Sequence, residues 1–188
     1  MTTWRVFCAV ELSEDVRARL QDHIARLRKE VPDAAASWSR VENIHLTLKF
    51  FGNVPLDLIP KISAAATQTT EQFSKFHIEI GNTGVFPRPS RAQVLWIGIS
   101  DSTGKLTELQ KRFEDECAGE GFPKEDRAYK PHLTIARLRK PERQLAETHL
   151  QIAFESIEVP VHELIVFRSE LSSKGSRYTA ISRHQLPR

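Results

Sequence analysis

Two tetrapeptides, His45-Leu46-Thr47-Leu48 and His132-Leu133-Thr134-Ile135, hold the side chains in this sequence best suited to chemistry. Each alternates a reactive residue with an aliphatic one. On a strand, successive side chains point to opposite faces. His45 and Thr47 therefore share one face, as do His132 and Thr134, while the aliphatic partners anchor each strand from behind. An imidazole titrates near neutrality, so two of them across a cleft supply one general base and one general acid. One ring takes a proton from water; the other gives one to a departing alkoxide. The two hydroxyls would aim donors at oxygens held between the rings. A phosphoryl group has such oxygens and gathers negative charge in the transition state. Four converging groups suit a phosphodiester better than an ester carbonyl. A cyclic phosphodiester suits best, because its ring strain helps the reaction along without a metal. The plain alternative is two unrelated amphipathic strands, which favour the same alternation.

Other side chains extend this set. Lys49 has the parity of His45 and Thr47, so it shares their face and either meets phosphate or RNA there or snorkels to the rim. Arg137 lies five residues beyond His132 with the wrong parity for a straight strand; it reaches the shared face only at a strand end or after a bulge. Phe7 and Trp96 can stack on a terminal base, set against core packing, the commoner fate of large aromatics. The basic stretch 88–91, with Lys124, Arg127, Lys130, Arg139 and Lys140, forms either an electrostatic funnel for an RNA end or an ordinary solvated surface. His23, His77, His149, His162 and His184 lack the motif and are expected on the surface or packed. No cysteine pair, His-x-x-x-His or acidic cluster has metal-ligand spacing, so neither a metal nor a cofactor is expected.

These groups need a scaffold. A chain of 188 residues, 40% hydrophobic and 27% charged, makes one compact domain or two small lobes sharing a core. The net charge of +3 favours anionic partners only mildly. Two cysteines, Cys8 and Cys117, exclude a disulfide framework and fit a reducing cytosol. Neither a signal-peptide core nor a bilayer-spanning stretch is expected.

Periodicity predicts a strand over 4–12, then a helix capped by Ser13 and ended by Pro32. A short strand over 37–40 follows, and the first motif strand runs over 44–51 and stops at Gly52-Asn53. A helix over 56–72 and a strand over 76–80 come next. A proline-rich loop over 86–91 leads to a strand over 94–99. A helix capped by Asp101 or Ser102 runs to about 118, and the second motif strand covers 132–138. A short helix starting near Pro141 and long strands over 157–169 and 178–186 complete the chain. Strand, helix and strand recur in each half, and each half carries one motif. This order reads as an internal duplication. The expected architecture is a single α+β domain over 1–188, with two pseudo-twofold-related lobes, each an antiparallel-rich sheet with helices packed outside, and a cleft between them.

The motifs sit in surroundings that resemble the RNA 2',3'-cyclic phosphodiesterase family, also called 2'-5' RNA ligase-like, within the two-histidine phosphoesterase superfamily. The resemblance runs nearly end to end. It is carried by residues 5–12 and 43–52, by Gly84-Val85-Phe86-Pro87, by residues 94–98 and 131–137, and by Phe167-Arg168-Ser169 and Arg177-Tyr178. Phe50-Phe51-Gly52 stands where the family usually has Phe-Leu-Gly. The resemblance implies metal-independent hydrolysis of an RNA 2',3'-cyclic phosphate end to a 2'-phosphate. It makes His45 the proton donor to the departing 3' oxygen and His132 the acceptor that activates water. Thr47 and Thr134 would hold phosphate oxygens, with Arg137 as a further phosphate contact. The implied partner is RNA with a cyclic phosphate terminus, or a cyclic nucleotide, bound by a cytoplasmic monomer with no membrane. Two other readings stay open: 2'-5' RNA ligation at the same site, with a hydroxyl replacing water, and a non-catalytic binder of RNA ends or nucleotides.

Overall fold

A computed structural model describes residues 2–172 and 175–188, and within them nine strands form two antiparallel sheets. The first sheet is built from β1 (Thr3–Val10), β3 (Leu46–Pro55), β8 (Glu163–Ser172) and β9 (Gly175–Gln185), in the order β3-β1-β8-β9. The second contains β2 (Ala36–Trp38), β4 (Phe76–Phe86), β5 (Val94–Ser100), β6 (His132–Leu138) and β7 (Ile157–Val161), in the order β2-β6-β5-β4-β7. Each sheet carries one motif strand: β3 at an edge of the first, β6 inside the second. The α+β class and the two-sheet architecture match the sequence expectation.

Four α-helices cover the sheets. α1 (Glu14–Glu30) starts where the Ser13 hydroxyl accepts the Val16 N–H, with Glu14 and Asp15 complementing its N-terminal dipole. Its Val16, Leu20, Ile24 and Leu27 recur at helical spacing and are buried. α2 (Ile59–Thr70) packs on α3 (Lys105–Gly119) and against β8 and β9. α1 packs on α4 (Arg143–Gln151), which lies against β4. Asp101 does serve the start of α3, because its carboxylate accepts the Leu106 N–H at 2.6 Å. One continuous apolar core runs beneath both sheets, with Phe113, Leu20, Leu27 and Leu46 among its fully buried side chains. Among the described residues no helix is long and apolar enough to cross a membrane.

The lobes are not the two halves of the chain. β8 and β9 return from the C-terminal end to pair in the first sheet, while β2 crosses early to the second. Three strand limits also differ from expectation. β3 does not stop at Gly52-Asn53; Gly52 adopts φ +73° and the strand continues to Pro55. β4 runs six residues past Ile80, because Gly81, Asn82 (φ 62°) and Gly84 hide its alternation. The single strand expected over 157–169 is two: β7 bonds β4 in the second sheet and β8 bonds β1 in the first.

Candidate active site

His45 directly precedes β3, following a 3-10 turn over Val41–Asn43, and His132 is the first residue of β6. Both rings line one cleft of about 1010 Å³, together with Thr47 and Thr134. Neither threonine hydroxyl has a protein partner among the described residues. The motif residues of the two sheets therefore face one space.

The carbonyl two residues upstream acts on each imidazole. His132 Nδ1 lies 2.7 Å from the Lys130 carbonyl oxygen, so it carries the proton that this oxygen accepts and leaves Nε2 for the cleft. The Asn43 backbone carbonyl, at the same offset from His45, favours the charged form of that ring. Arg17, from α1, fixes the turn that presents Asn43: its guanidinium donates to the Leu12 carbonyl at 3.2 Å and the Val41 carbonyl at 3.1 Å. Asn43 Nδ2 donates to the Ser176 carbonyl at 2.7 Å, tying the same turn to β9. The two motifs are also bound crosswise. Tyr129, in the segment leading to His132, donates to the Thr47 carbonyl at 3.2 Å, and Ser39, in the segment leading to His45, donates to the Thr134 carbonyl at 2.9 Å.

Behind the rings stand aromatic walls of different kinds. The His45 ring stacks on Phe7, with centroids 4.5 Å apart and planes 20° apart, and meets Tyr178 edge-on at 5.2 Å. The His132 ring meets Phe86 edge-on at 5.0 Å, and Phe86 in turn leans on Trp96 at 5.1 Å. Burial against Phe7 and its neighbours pushes His45 down to about 4; the Asn43 carbonyl opposes that shift, and the Arg17 charge adds to it. In the empty cleft His45 is therefore a neutral imidazole near pH 7.

A matched irregularity follows each threonine. In β3 the pairing with β1 passes from Ala9↔Thr47 to Cys8↔Lys49, leaving Leu48 as an extra residue. In β6 the pairing with β5 passes from Trp96↔Thr134 to Leu95↔Ala136, leaving Ile135 extra. The bulged residue is thus the third after each histidine. An extra residue reverses the parity of everything beyond it. Arg137 is thereby turned onto the exposed cleft face. Lys49 is turned the other way.

Lys49 is buried rather than snorkelling. Its ammonium donates to Glu114 at 2.6 Å and to the Pro123 carbonyl at 2.8 Å. Glu114 also accepts from the Glu125 N–H at 3.3 Å, so the pair pins the loop that leads to Tyr129 and Lys130. Phe7 does not offer itself to a base. It is 3% exposed, with His45 on one side and Phe167 stacked at 5.2 Å. Trp96 lies across Gly84, where a Cβ would come within 2.0 Å of the indole. Residues missed from sequence are Tyr178, Phe86, Tyr129 and Phe50, all lining the cleft. The spacing shared by Phe50 and Arg137, each the fifth residue after its histidine, was the available signal for Phe50.

Two antiparallel sheets that each deliver a His-x-Thr strand to one cleft define a two-lobed α+β protein of the paired-histidine class. The chain belongs to the 2'-5' RNA ligase superfamily, whose family model matches residues 14–172. It is 33% identical over 93% of its length to the RNA 2',3'-cyclic phosphodiesterase of Methanothermobacter thermautotrophicus, covering 95% of that protein. Among solved structures it resembles TT0787 of Thermus thermophilus, with a TM-score of 0.80, 26% identity and 97% of each chain covered. It shares the fold of E. coli LigT complexed with 3'-AMP, with a TM-score of 0.76, 22% identity and 99% of each chain covered.

Proposed function

We propose that this chain hydrolyses the 2',3'-cyclic phosphate at RNA ends to a 2'-phosphate, using His45 and His132 as the acid/base pair and no metal. The observation that carries this reading is the convergence of both imidazoles and both threonines on one cleft. Full-length similarity to a curated RNA 2',3'-cyclic phosphodiesterase supports it.

Water attacks phosphorus as the His132 Nε2 lone pair takes its proton, while the Lys130 carbonyl holds the proton on Nδ1. The bond from phosphorus to the 3' oxygen breaks, and His45 supplies that oxygen with a proton. His45 is neutral in the empty cleft, so it takes up its proton as the anionic phosphate arrives; the negative charge beside it raises its affinity for that proton. Thr47 and Thr134 donate to the two non-bridging oxygens, and the Arg137 charge offsets what develops on them. The products are a 2'-phosphate and a free 3'-hydroxyl.

An RNA chain, rather than a free nucleotide, is the preferred partner. A second cavity of about 890 Å³ adjoins the cleft across Asn43, His45 and Tyr178, and the exposed Arg28 and Arg177 line it. An incoming hydroxyl entering from that side would turn the same chemistry into 2'-5' ligation. The enzyme is read as a cytoplasmic monomer.

The test is an oligonucleotide with a 2',3'-cyclic phosphate end, incubated with the protein in EDTA. Opening to the 2'-phosphate is expected, with His45→Gln and His132→Gln each lowering kcat by about 10²- to 10⁴-fold. Unchanged turnover in either variant overturns the assignment, and dependence on added metal overturns the mechanism.

A further inference from the structure

The bulge after each threonine leaves the same need in both motif strands. An extra residue interrupts the ladder, and carbonyl groups displaced from it must find other donors. In the first copy the Thr47 carbonyl accepts from the Tyr129 hydroxyl at 3.2 Å, and the carbonyl of the bulged Leu48 accepts from Gln110 Nε2 at 3.4 Å. In the second copy Ser39 meets both. Its hydroxyl donates to the Thr134 carbonyl at 2.9 Å, and its N–H donates to the carbonyl of the bulged Ile135 at 2.9 Å. None of these donors belongs to a strand: Gln110 is in α3, and Tyr129 and Ser39 are in connecting segments.

The clamps are crossed. Tyr129 stands three residues before His132 and holds the bulge that follows His45. Ser39 stands six residues before His45 and holds the bulge that follows His132. Both line the cleft, as does Gln110. Burial pushes the Tyr129 hydroxyl well above the usual phenol range, so it stays a donor. Because a peptide unit is planar, holding the carbonyls of a threonine and of its successor fixes two consecutive planes. The direction of the threonine Cβ, and the reach of its hydroxyl into the cleft, follow from those planes.

We propose that Tyr129 with Gln110, and Ser39, are positioning residues: each clamp holds the bulge of the opposite motif and so aims that motif's threonine hydroxyl at its own phosphate oxygen. This deepens the phosphodiesterase reading and rests on it. In that reading Thr47 and Thr134 take one non-bridging oxygen each, so each clamp serves one oxygen. Loss of a clamp lets one threonine drift and leaves the other in place. A drift of about 1 Å is enough to slow a reaction severely.

The test uses the two diastereomers of uridine 2',3'-cyclic phosphorothioate, in which sulfur, a poor acceptor, replaces one or the other non-bridging oxygen. The ribose fixes which of these atoms faces which threonine, so each diastereomer keeps an oxygen for one clamp only. Tyr129→Phe should shift the ratio of kcat/KM for the two by about 5- to 10-fold in one direction, and Ser39→Ala by as much in the other. Gln110→Met should shift it the same way as Tyr129→Phe. Thermal melting checks that each variant is folded; Gln110→Met stands in for an unfolded Tyr129→Phe, and Ser39→Gly for an unfolded Ser39→Ala. A shift under about twofold in any folded variant overturns the proposal, as do shifts of Tyr129→Phe and Ser39→Ala in one direction, because a residue that only supports the fold lowers both rates alike. If the parent opens no cyclic phosphate, the phosphodiesterase reading fails instead. In that case, and where sulfur alone blocks turnover, calorimetric affinities of the two diastereomers judge the clamps by themselves. Opposite shifts of at least about threefold support them, and anything else overturns them.

Discussion

The Phe7 ring lies nearly parallel beneath the His45 imidazole, at 4.5 Å and 20°. Phe7 belongs to a small cluster of its own with Ala9, Ile165 and Phe167, on the cleft face of the first sheet and separate from the main core. The cluster holds the His45 ring by an apolar surface and so withholds water from it. The same contact that positions His45 also sets its proton affinity.

Replacing Phe7 by Ala should therefore raise the titration midpoint of His45. The imidazolium is disfavoured by desolvation, so admitting water moves the midpoint up from about 4 toward the usual histidine value. An NMR titration of the His45 ring protons reads this directly. A midpoint still near 4 in the variant would mean that Phe7 is not the group excluding water.

Phosphate binding should take up protons between about pH 5 and 7. His45 is unprotonated there when the cleft is empty, and an anion beside it favours the charged form. Affinity for inorganic phosphate should then weaken as pH rises through this window. Calorimetry in buffers of different ionisation enthalpy measures the proton count, which should drop in His45→Gln.

Lys49 should matter to stability more than to RNA. Its ammonium is committed to Glu114 and the Pro123 carbonyl. Lys49→Met leaves the buried Glu114 carboxylate unpaired and should cost about 3 kcal/mol in denaturant unfolding. Lys49→Met with Glu114→Leu should recover most of that. In the double variant, the salt dependence of RNA affinity should stay at the parent value, since no phosphate contact has been removed.

Gly84→Ala should damage the His132 side. Its Cβ would come within 2.0 Å of the Trp96 indole, and Trp96 supports Phe86, which meets His132. Overpacking of this kind costs about 1–3 kcal/mol. The melting temperature should fall by several degrees, and kcat should fall with it. A variant with lowered melting temperature and unchanged kcat would break the proposed link from Trp96 to His132.

The two motifs were legible because alternation alone decides which side chains share a face, and His45, Thr47, His132 and Thr134 all lie before any irregularity. Beyond the threonines the same rule fails. Nothing in Leu48 or Ile135 announces a bulge, so straight-strand parity places Lys49 in the cleft and hides Phe50. Arg137 could be placed only by supposing a strand end or a bulge, and the β5–β6 pairing contains the bulge. The make-up of the lobes was hidden for another reason. Local periodicity carries no information about which distant strands pair, and the first sheet joins both ends of the chain. Packing was the commoner expectation for Phe7, but an aromatic in an apolar strand gives no sign that the ring it will touch is His45.

The paired bulges have one more consequence. A duplicated scaffold tends to offer the same group twice, yet a nucleotide end has an anionic side and a flat, oily side. The extra residue after each threonine creates a spare slot in each copy that the proton-transfer chemistry does not constrain. One copy filled it with the cation of Arg137 and the other with the ring of Phe50, so a near-mirror frame lines its cleft with two unlike groups.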